Sequence, residues 1–339
     1  MSGAVDPRAP ATGAAPRSEP SRRTRAIVLV FFAPFMAELV SGSTAPQAWI
    51  LPWVVLAFAG IYGVSALLIR ELALRFNGGL PTVLLLGLAF GILNEGIGAH
   101  SLFNPLWPSL GALQGYGRWL GVNWLWAEWI VPFHAVWSIS IPIVLVGEFW
   151  PRSRTERLLT DRTILALLPV PFATATVAGL IFAGYPLSAG DWAGMAVAIV
   201  VLSTVGLTIG PRLGAVRPLH PWHVRPSTAF VVGVLFIVAG QVGTWRTPTV
   251  SSVPAVGFAL VLAMYAAVAA FAHLSLRGPG AARLRFSFLL GIVGFYVALS
   301  PVSEFLEGRI GLLFIDAVLY ALLIRLYLRR AAEPAHDQR

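Results

Sequence analysis

An all-α polytopic bundle of about ten transmembrane helices is the fold class this sequence predicts, and three observations carry it. Hydrophobic residues make up 57% of the chain and charged ones 12%, about half the charged share of an ordinary soluble domain. The apolar residues come in runs of roughly 17 to 25, the length that crosses the hydrocarbon core of a bilayer. The arginines collect beside the ends of those runs, as topology signals do.

Residues 1–25 are rich in Pro, Ala, Gly, Ser and Arg and hold almost no large apolar side chain. They read as a disordered cytoplasmic tail. Ser21-Arg22-Arg23 before an apolar run has the look of a twin-arginine or secretory signal, but further long apolar segments follow, so the first is an uncleaved anchor. It spans 26–42 and runs into Ser41-Gly42-Ser43-Thr44. The next, 50–69, stops at Arg70, and 80–98 follows Gly78-Gly79. Segment 127–149 ends before Pro151-Arg152, 163–184 before Pro186, and 192–210 before Pro211-Arg212. The last four, 228–245, 253–274, 286–302 and 310–328, lie between Arg225-Pro226, Arg246, Arg277, Arg285, Arg309 and Arg329. The membrane domain is thus 26–330, with a short cytoplasmic tail at 331–339.

Placing the N-terminus inside puts twenty-one of the 24 basic residues, all Arg, on the cytoplasmic side. Only Arg118, Arg246 and Arg309 fall outside, which fits the positive-inside rule with both termini cytoplasmic. Trp49, Trp53, Trp107, Trp119, Trp124, Trp126, Trp192 and Trp245 then fall near outer ends, at the headgroup level that indole prefers. The longest outer connection, 99–126, is amphipathic and punctuated by Gly and Pro. It reads as an interfacial loop on the membrane surface or folded back into the bundle mouth. No internal repeat supports a five-plus-five inverted architecture.

With no cysteine, disulfides, thiolate metal sites and cysteine nucleophiles are excluded. A net charge of +9 raises the question of nucleic acid, but no stretch outside the membrane is long enough for a basic module, so none is expected as a partner. The expected partners are the lipid bilayer and a small solute or membrane-embedded substrate. The expected location is a cell membrane of bacterial type.

Ionisable side chains persist in hydrocarbon at roughly 2.5 to 3.5 kcal/mol each on insertion scales, so they usually face the bundle interior. Glu38, Glu95, His100, Glu128, His134 and Asp316 all fall at outer depth. Gln241 shares that level as a donor or interhelical glue. Pro34 lies four residues before Glu38 and Pro132 two before His134, and a Pro kink frees a carbonyl that water or polar side chains can satisfy. These residues predict a hydrated cavity open to the outside, built by the first, third, fourth and tenth helices. The bland alternative is an interhelical polar network. Glu128 and Glu304 also read as solvated interfacial groups, and Glu307 with Arg309 as a surface ion pair. Arg70, Glu71, Arg75, Glu148 and His273, at inner ends, read as side chains that snorkel to the interface.

Three functions fit. A transporter of a small solute or ion would use Glu38, Glu95 and Asp316 for coupling, with His100 and Gln241 as further binding groups. A metal-dependent hydrolase would use Glu95 and His134 as its catalytic pair, with Glu95, His134 and Asp316 as candidate zinc ligands. There is no His-Glu-x-x-His. A scaffold needs only the helices. The segment Gly87-Leu88-Ala89-Phe90-Gly91-Ile92-Leu93-Asn94-Glu95-Gly96-Ile97-Gly98 resembles the glutamate-bearing helix of the CPBP (CAAX protease and bacteriocin-processing) family and of PrsW-type intramembrane proteases. That resemblance implies a metal-dependent intramembrane protease with Glu95 and His134 in its site. It departs from the family pattern in carrying Asn94 where the first of the paired glutamates stands. The chain as a whole resembles uncharacterised prokaryotic multi-pass membrane proteins, which implies a location and no activity.

Overall fold

The computed structural model describes residues 19–217, 222–277 and 281–332. Residues 1–18 and 333–339, most of the two expected tails, lie outside the described residues. All ten expected segments are helical. They are α1 (Arg22–Pro34, continued by a π-helical turn over Phe35–Val40), α2 (Pro52–Arg75), α3 (Gly79–Gly98), α4 (Trp124–Phe149) and α5 (Asp161–Phe182). Then follow α6 (Ala189–Thr208), α7 (Pro226–Val250), α8 (Pro254–Ser275), α9 (Ala282–Glu307) and α10 (Leu312–Ala332).

Eight of the ten, α2 to α9, are long and apolar enough to cross a membrane. The other two carry more charge: Arg22, Arg23, Arg25 and Glu38 on α1, and Asp316, Arg325, Arg329 and Arg330 on α10. The chain is a helical polytopic bundle. Its first helix begins earlier than the apolar run suggests, because Ser21 caps it by accepting the Thr24 N–H, the role Ser fills at an N-cap.

Burial separates a centre from a periphery. Of the apolar window, 67% is buried in α3 and in α4, but only 17% in α6 and in α8. The peripheral helices therefore turn most of their side chains outward, to lipid. Close approach at the centre rests on small residues, as in membrane bundles generally. Gly63 on α2 lies against the Val30 carbonyl of α1, where a Cβ would overlap it, and Gly91 on α3 faces Val131 of α4, whose carbonyl would be 2.7 Å from an added Cβ.

Five helices carry a π-helical turn: Phe35–Val40 after α1, Ala59–Gly63 in α2, Leu93–Gly98 in α3, His134–Ser140 in α4 and Ala239–Gly243 in α7. Such turns insert a residue into the helical ladder and are frequent at functional sites. The turn after α1 starts directly after Pro34, and that of α4 two residues after Pro132. The expected Pro kinks are realised as these turns.

The outer connection 99–126 is a folded cap. It holds a 3₁₀ segment, Pro108–Leu113, and a hairpin of β1 (Arg118–Trp119) and β2 (Val122–Asn123). Leu120 and Gly121 turn the hairpin with positive φ, the pattern of a type I′ turn. Leu110, Leu113 and Asn123 are fully buried, and Ser109 and Tyr116 bond to Trp245 and Ser251 at the outer ends of α7 and α8. Of the two expected readings, folding back onto the bundle is the one realised.

The opposite end, which the arginine count assigns to the cytoplasm, departs from expectation. Arg70 and Glu71 are buried (3% and 0% exposed) rather than snorkelling outward. Glu71 accepts from Arg70, from Arg75 at 2.7 Å and from the backbone N–H groups of Leu158 and Leu159. With that many donors a buried carboxylate is satisfied without reaching water. The beginning of α1 and the end of α10 meet at this same end, where Arg25 pairs with Glu156 and Arg330 donates to the Glu148 carbonyl at 2.5 Å.

Candidate functional site

Four of the π-helical turns face one another at the outer half of the bundle, and each supplies a polar side chain. The turn after α1 gives Glu38, that of α2 Tyr62, that of α3 Asn94 and Glu95, and that of α4 His134 and Ser138. An α-helix shows neighbours at i+3 and i+4 to one side. A π turn rotates the following residues, so adjacent residues such as Asn94 and Glu95 both reach inward.

Contacts make these groups one chain. His134 Nε2 lies 2.7 Å from Glu95 Oε1, and His134 Nδ1 lies 2.8 Å from Ser138 Oγ. Glu95 Oε2 accepts from Ser101 of the outer cap, whose hydroxyl in turn accepts from Trp126 Nε1 at 3.0 Å. Asn94 Nδ2 is 3.1 Å from both Glu95 Oε1 and the Tyr62 hydroxyl, and 3.2 Å from His134 Nε2. Tyr62 donates to Glu38 Oε1, and Thr44 donates to Glu38 Oε2 at 2.6 Å. Phe90 and Phe133 pack edge-on against the His134 ring.

The chain is graded in burial. Glu95, His134 and Asn94 are 6–7% exposed, whereas Glu38 and Thr44 at the outer end are partly open. The expected hydrated cavity is at these groups a packed hydrogen-bonded chain, because each carboxylate oxygen finds a side-chain donor. With the ring proton on Nε2, His134 donates to Glu95 and accepts from the Ser138 hydroxyl at Nδ1. Between Glu38 and His134 every link but one can hold and pass a proton. The exception is Asn94, whose amide bonds to both halves yet does not titrate.

The structure brings together Glu38, Glu95 and His134 and leaves the other candidates elsewhere. His100 is buried with Nδ1 2.7 Å from the Tyr185 carbonyl and its ring against Gly179 of α5. Gln241 lies on the fifth π turn and accepts from the Tyr296 hydroxyl at 3.5 Å. Asp316 pairs with Ser300 between α9 and α10. Tyr62, Ser101, Ser138 and Thr44 belong to the site and carry no charge that would single them out in sequence; Tyr62 stands out only as the hydroxyl in an apolar run between Gly60 and Gly63.

As a metal centre the donor set falls short. Glu95 and His134 meet, but Glu38 is engaged by Tyr62 and Thr44, and Asp316 by Ser300. Among the described residues no three His, Asp or Glu side chains converge, whereas a zinc site takes three or four protein ligands. The trio Glu95, His134 and Asp316 is therefore not a fit for zinc. Glu304 accepts the Leu313 N–H at 2.8 Å and so ties α9 to α10, and Glu307 with Arg309 is the expected surface pair.

Comparison with known proteins gives a family and no function. A family model described as an uncharacterized membrane protein family matches residues 27–333. None of the curated proteins matches, and none of the solved structures does.

Proposed function

The chain belongs to this uncharacterised membrane protein family, and from that premise we propose that it is a proton-coupled transporter of a small solute across a bacterial-type cell membrane. The observation that carries the proposal is the hydrogen-bonded chain from Glu38 through Tyr62, Asn94 and Glu95 to His134, seated on four π-helical turns. Buried carboxylates and imidazoles on broken membrane helices are the usual means of holding a coupling proton. Glu95 and His134 hold the proton, Glu38 exchanges it with the outside, and Asn94 separates the two. A proton crosses between the halves only when Asn94 yields its place to water or to a displaced side chain. The interruption matters in a cycle of alternating access: when the Glu95–His134 pair is turned open to the inner side, an unbroken link to Glu38 would let protons run down the gradient.

The metal-dependent hydrolase has the Glu95–His134 pair in its favour, without a third donor among the described residues.

The test needs no knowledge of the solute. Purified protein in vesicles loaded with a pH-sensitive dye is given a membrane potential. The wild type stays tight, whereas Asn94→Asp, which inserts a titratable group at the break, leaks protons. Adding Glu95→Gln to Asn94→Asp restores tightness. A tight Asn94→Asp variant that is correctly inserted and monodisperse, or a leak indifferent to Glu95→Gln, removes the proposal. Asn94→Ser serves as the second variant should the aspartate disturb insertion.

A further inference from the structure

A second intramembrane acid lies apart from this chain. Asp316 on α10 is 0% exposed and Ser300 on α9 is 1% exposed. Ser300 Oγ is within hydrogen-bond distance of Asp316 Oδ2 and lies 3.2 Å from the Tyr296 carbonyl one turn back on its own helix. Among the described residues, Asp316 Oδ1 is buried with no hydrogen-bond partner.

These contacts can be counted in hydrogens. A serine hydroxyl has one proton to give. If Ser300 gives it to Tyr296, the link to Asp316 has no proton unless the aspartate supplies one. If Ser300 gives it to an ionised Asp316, the second carboxylate oxygen stays buried, charged and unpaired, a state that burial strongly disfavours.

Among the described residues no cation is paired with it. From α9, Glu304 is engaged with the Leu313 N–H and Glu307 with Arg309. From the π turn after α1, Glu38 is held by Tyr62 and Thr44. Tyr296 reaches Gln241, and Tyr320, one turn further along α10, donates to the Leu290 carbonyl. Only a neutral acid satisfies the count: Oδ2–H donates to Ser300 Oγ, Ser300 donates to Tyr296, and Oδ1 remains as an uncharged carbonyl oxygen.

We propose that Asp316 and Ser300 form a second proton-binding site, filled in this conformation and separate from the Glu95–His134 pair. The site stands on its own geometry. Its consequence rests on the transport reading: a cycle that empties both sites moves more than one proton per solute.

Two measurements on the full chain in lipid test it, and neither requires transport. Infrared spectra at neutral pH contain the carbonyl stretch of a protonated carboxylic acid, which moves to lower frequency in D₂O. Asp316→Asn removes that band; Ser300→Ala keeps it and shifts it. Dicyclohexylcarbodiimide, which attacks only protonated carboxyls, adds its mass to the peptide bearing Asp316, and Glu95→Gln does not prevent this. An acid band unchanged in Asp316→Asn and Asp316→Glu overturns the proposal. So does labelling blocked by sodium chloride but not by choline chloride, which would make this a metal-cation site. Because Asn94→Asp leakage is measured separately, failure here leaves the transport reading standing, and the reverse holds.

Discussion

At the scale of single residues, the site is governed by the rule that a polar atom inside a bilayer must find a partner. Tyr62 shows the rule at work, since its hydroxyl donates to Glu38 and accepts from Asn94. Replacing it with Phe leaves Glu38 Oε1 and Asn94 each short of a partner, a loss of about 1–3 kcal/mol. Tyr62→Phe is expected to lower the thermal midpoint accordingly and, in the Asn94→Asp background, to bring proton leakage back to the level of empty vesicles. Leakage that persists in Tyr62→Phe would place Tyr62 off the path. Glu38, Glu95 and His134 were legible in the sequence because a charge or imidazole stands out in an apolar run. Tyr62 and Asn94 were not, because a neutral polar residue barely lowers local hydropathy. His100, Gln241 and Asp316 share the site's depth yet lie away from its hydrogen-bonded chain: sequence gives depth along a helix axis, and depth does not tell which way a side chain turns. A π turn worsens this, as it advances the rotation without leaving a mark in composition.

At the scale of elements, helix positions follow from the apolar runs and their ends from local chemistry. Ser21 starts α1 among arginines, ahead of the first apolar residue. The helix α9 runs through Pro301 to Glu307, as membrane helices can when neighbouring groups satisfy the freed carbonyl. The hairpin at 118–123 escaped the sequence because two-residue strands have no alternation to read. What sets the elements against one another is small residues at crossings, and this gives a sharp contrast. A Cβ at Gly63 would overlap the Val30 carbonyl, a backbone atom that cannot swing aside, whereas one at Gly194 on α6 meets nothing within 4 Å. Gly63→Val is expected to destabilise the bundle by at least about 1–3 kcal/mol through overpacking. Gly194→Ala should be neutral or favourable, by up to about 1 kcal/mol from helix propensity. Unfolding by denaturing detergent in mixed micelles measures both. Equal effects would mean that the crossing of α1 and α2 is not a tight contact.

At the scale of the whole molecule, the two ends of the bundle do different work: the outer half carries the polar chain, and the inner end ties distant segments together by charge. Arg25, 3% exposed at its side chain, binds Glu156, and so does the exposed Arg22 at 2.5 Å. Arg70 reaches the Ser153 and Glu156 carbonyls, and Arg75 reaches Asp161 at 2.8 Å. The loop 151–160 is thereby held against α1 and α2. The Arg25 guanidinium, with Arg22 beside it, keeps the Glu156 carboxyl below the usual carboxylate range. A depressed folded value contributes stability that is fully present above the unfolded value, about 4.3 for Glu, and is lost as pH falls through the folded value. At neutral pH the clamp is therefore complete, and it should open only on acidification below about pH 4. Hydrogen exchange of residues 151–160, corrected for the intrinsic rate, should show protection falling in that acid range. Glu156→Gln should show the acid-like, weaker protection already at neutral pH and no further step on acidification, while the helices α3 and α4 stay protected in both. Protection that ignores both the substitution and the acid would mean the loop is held without the Glu156 carboxylate, by Glu71 on the Leu158 and Leu159 amides and by Arg70 and Arg75 on the Ser153, Glu156 and Leu159 carbonyls.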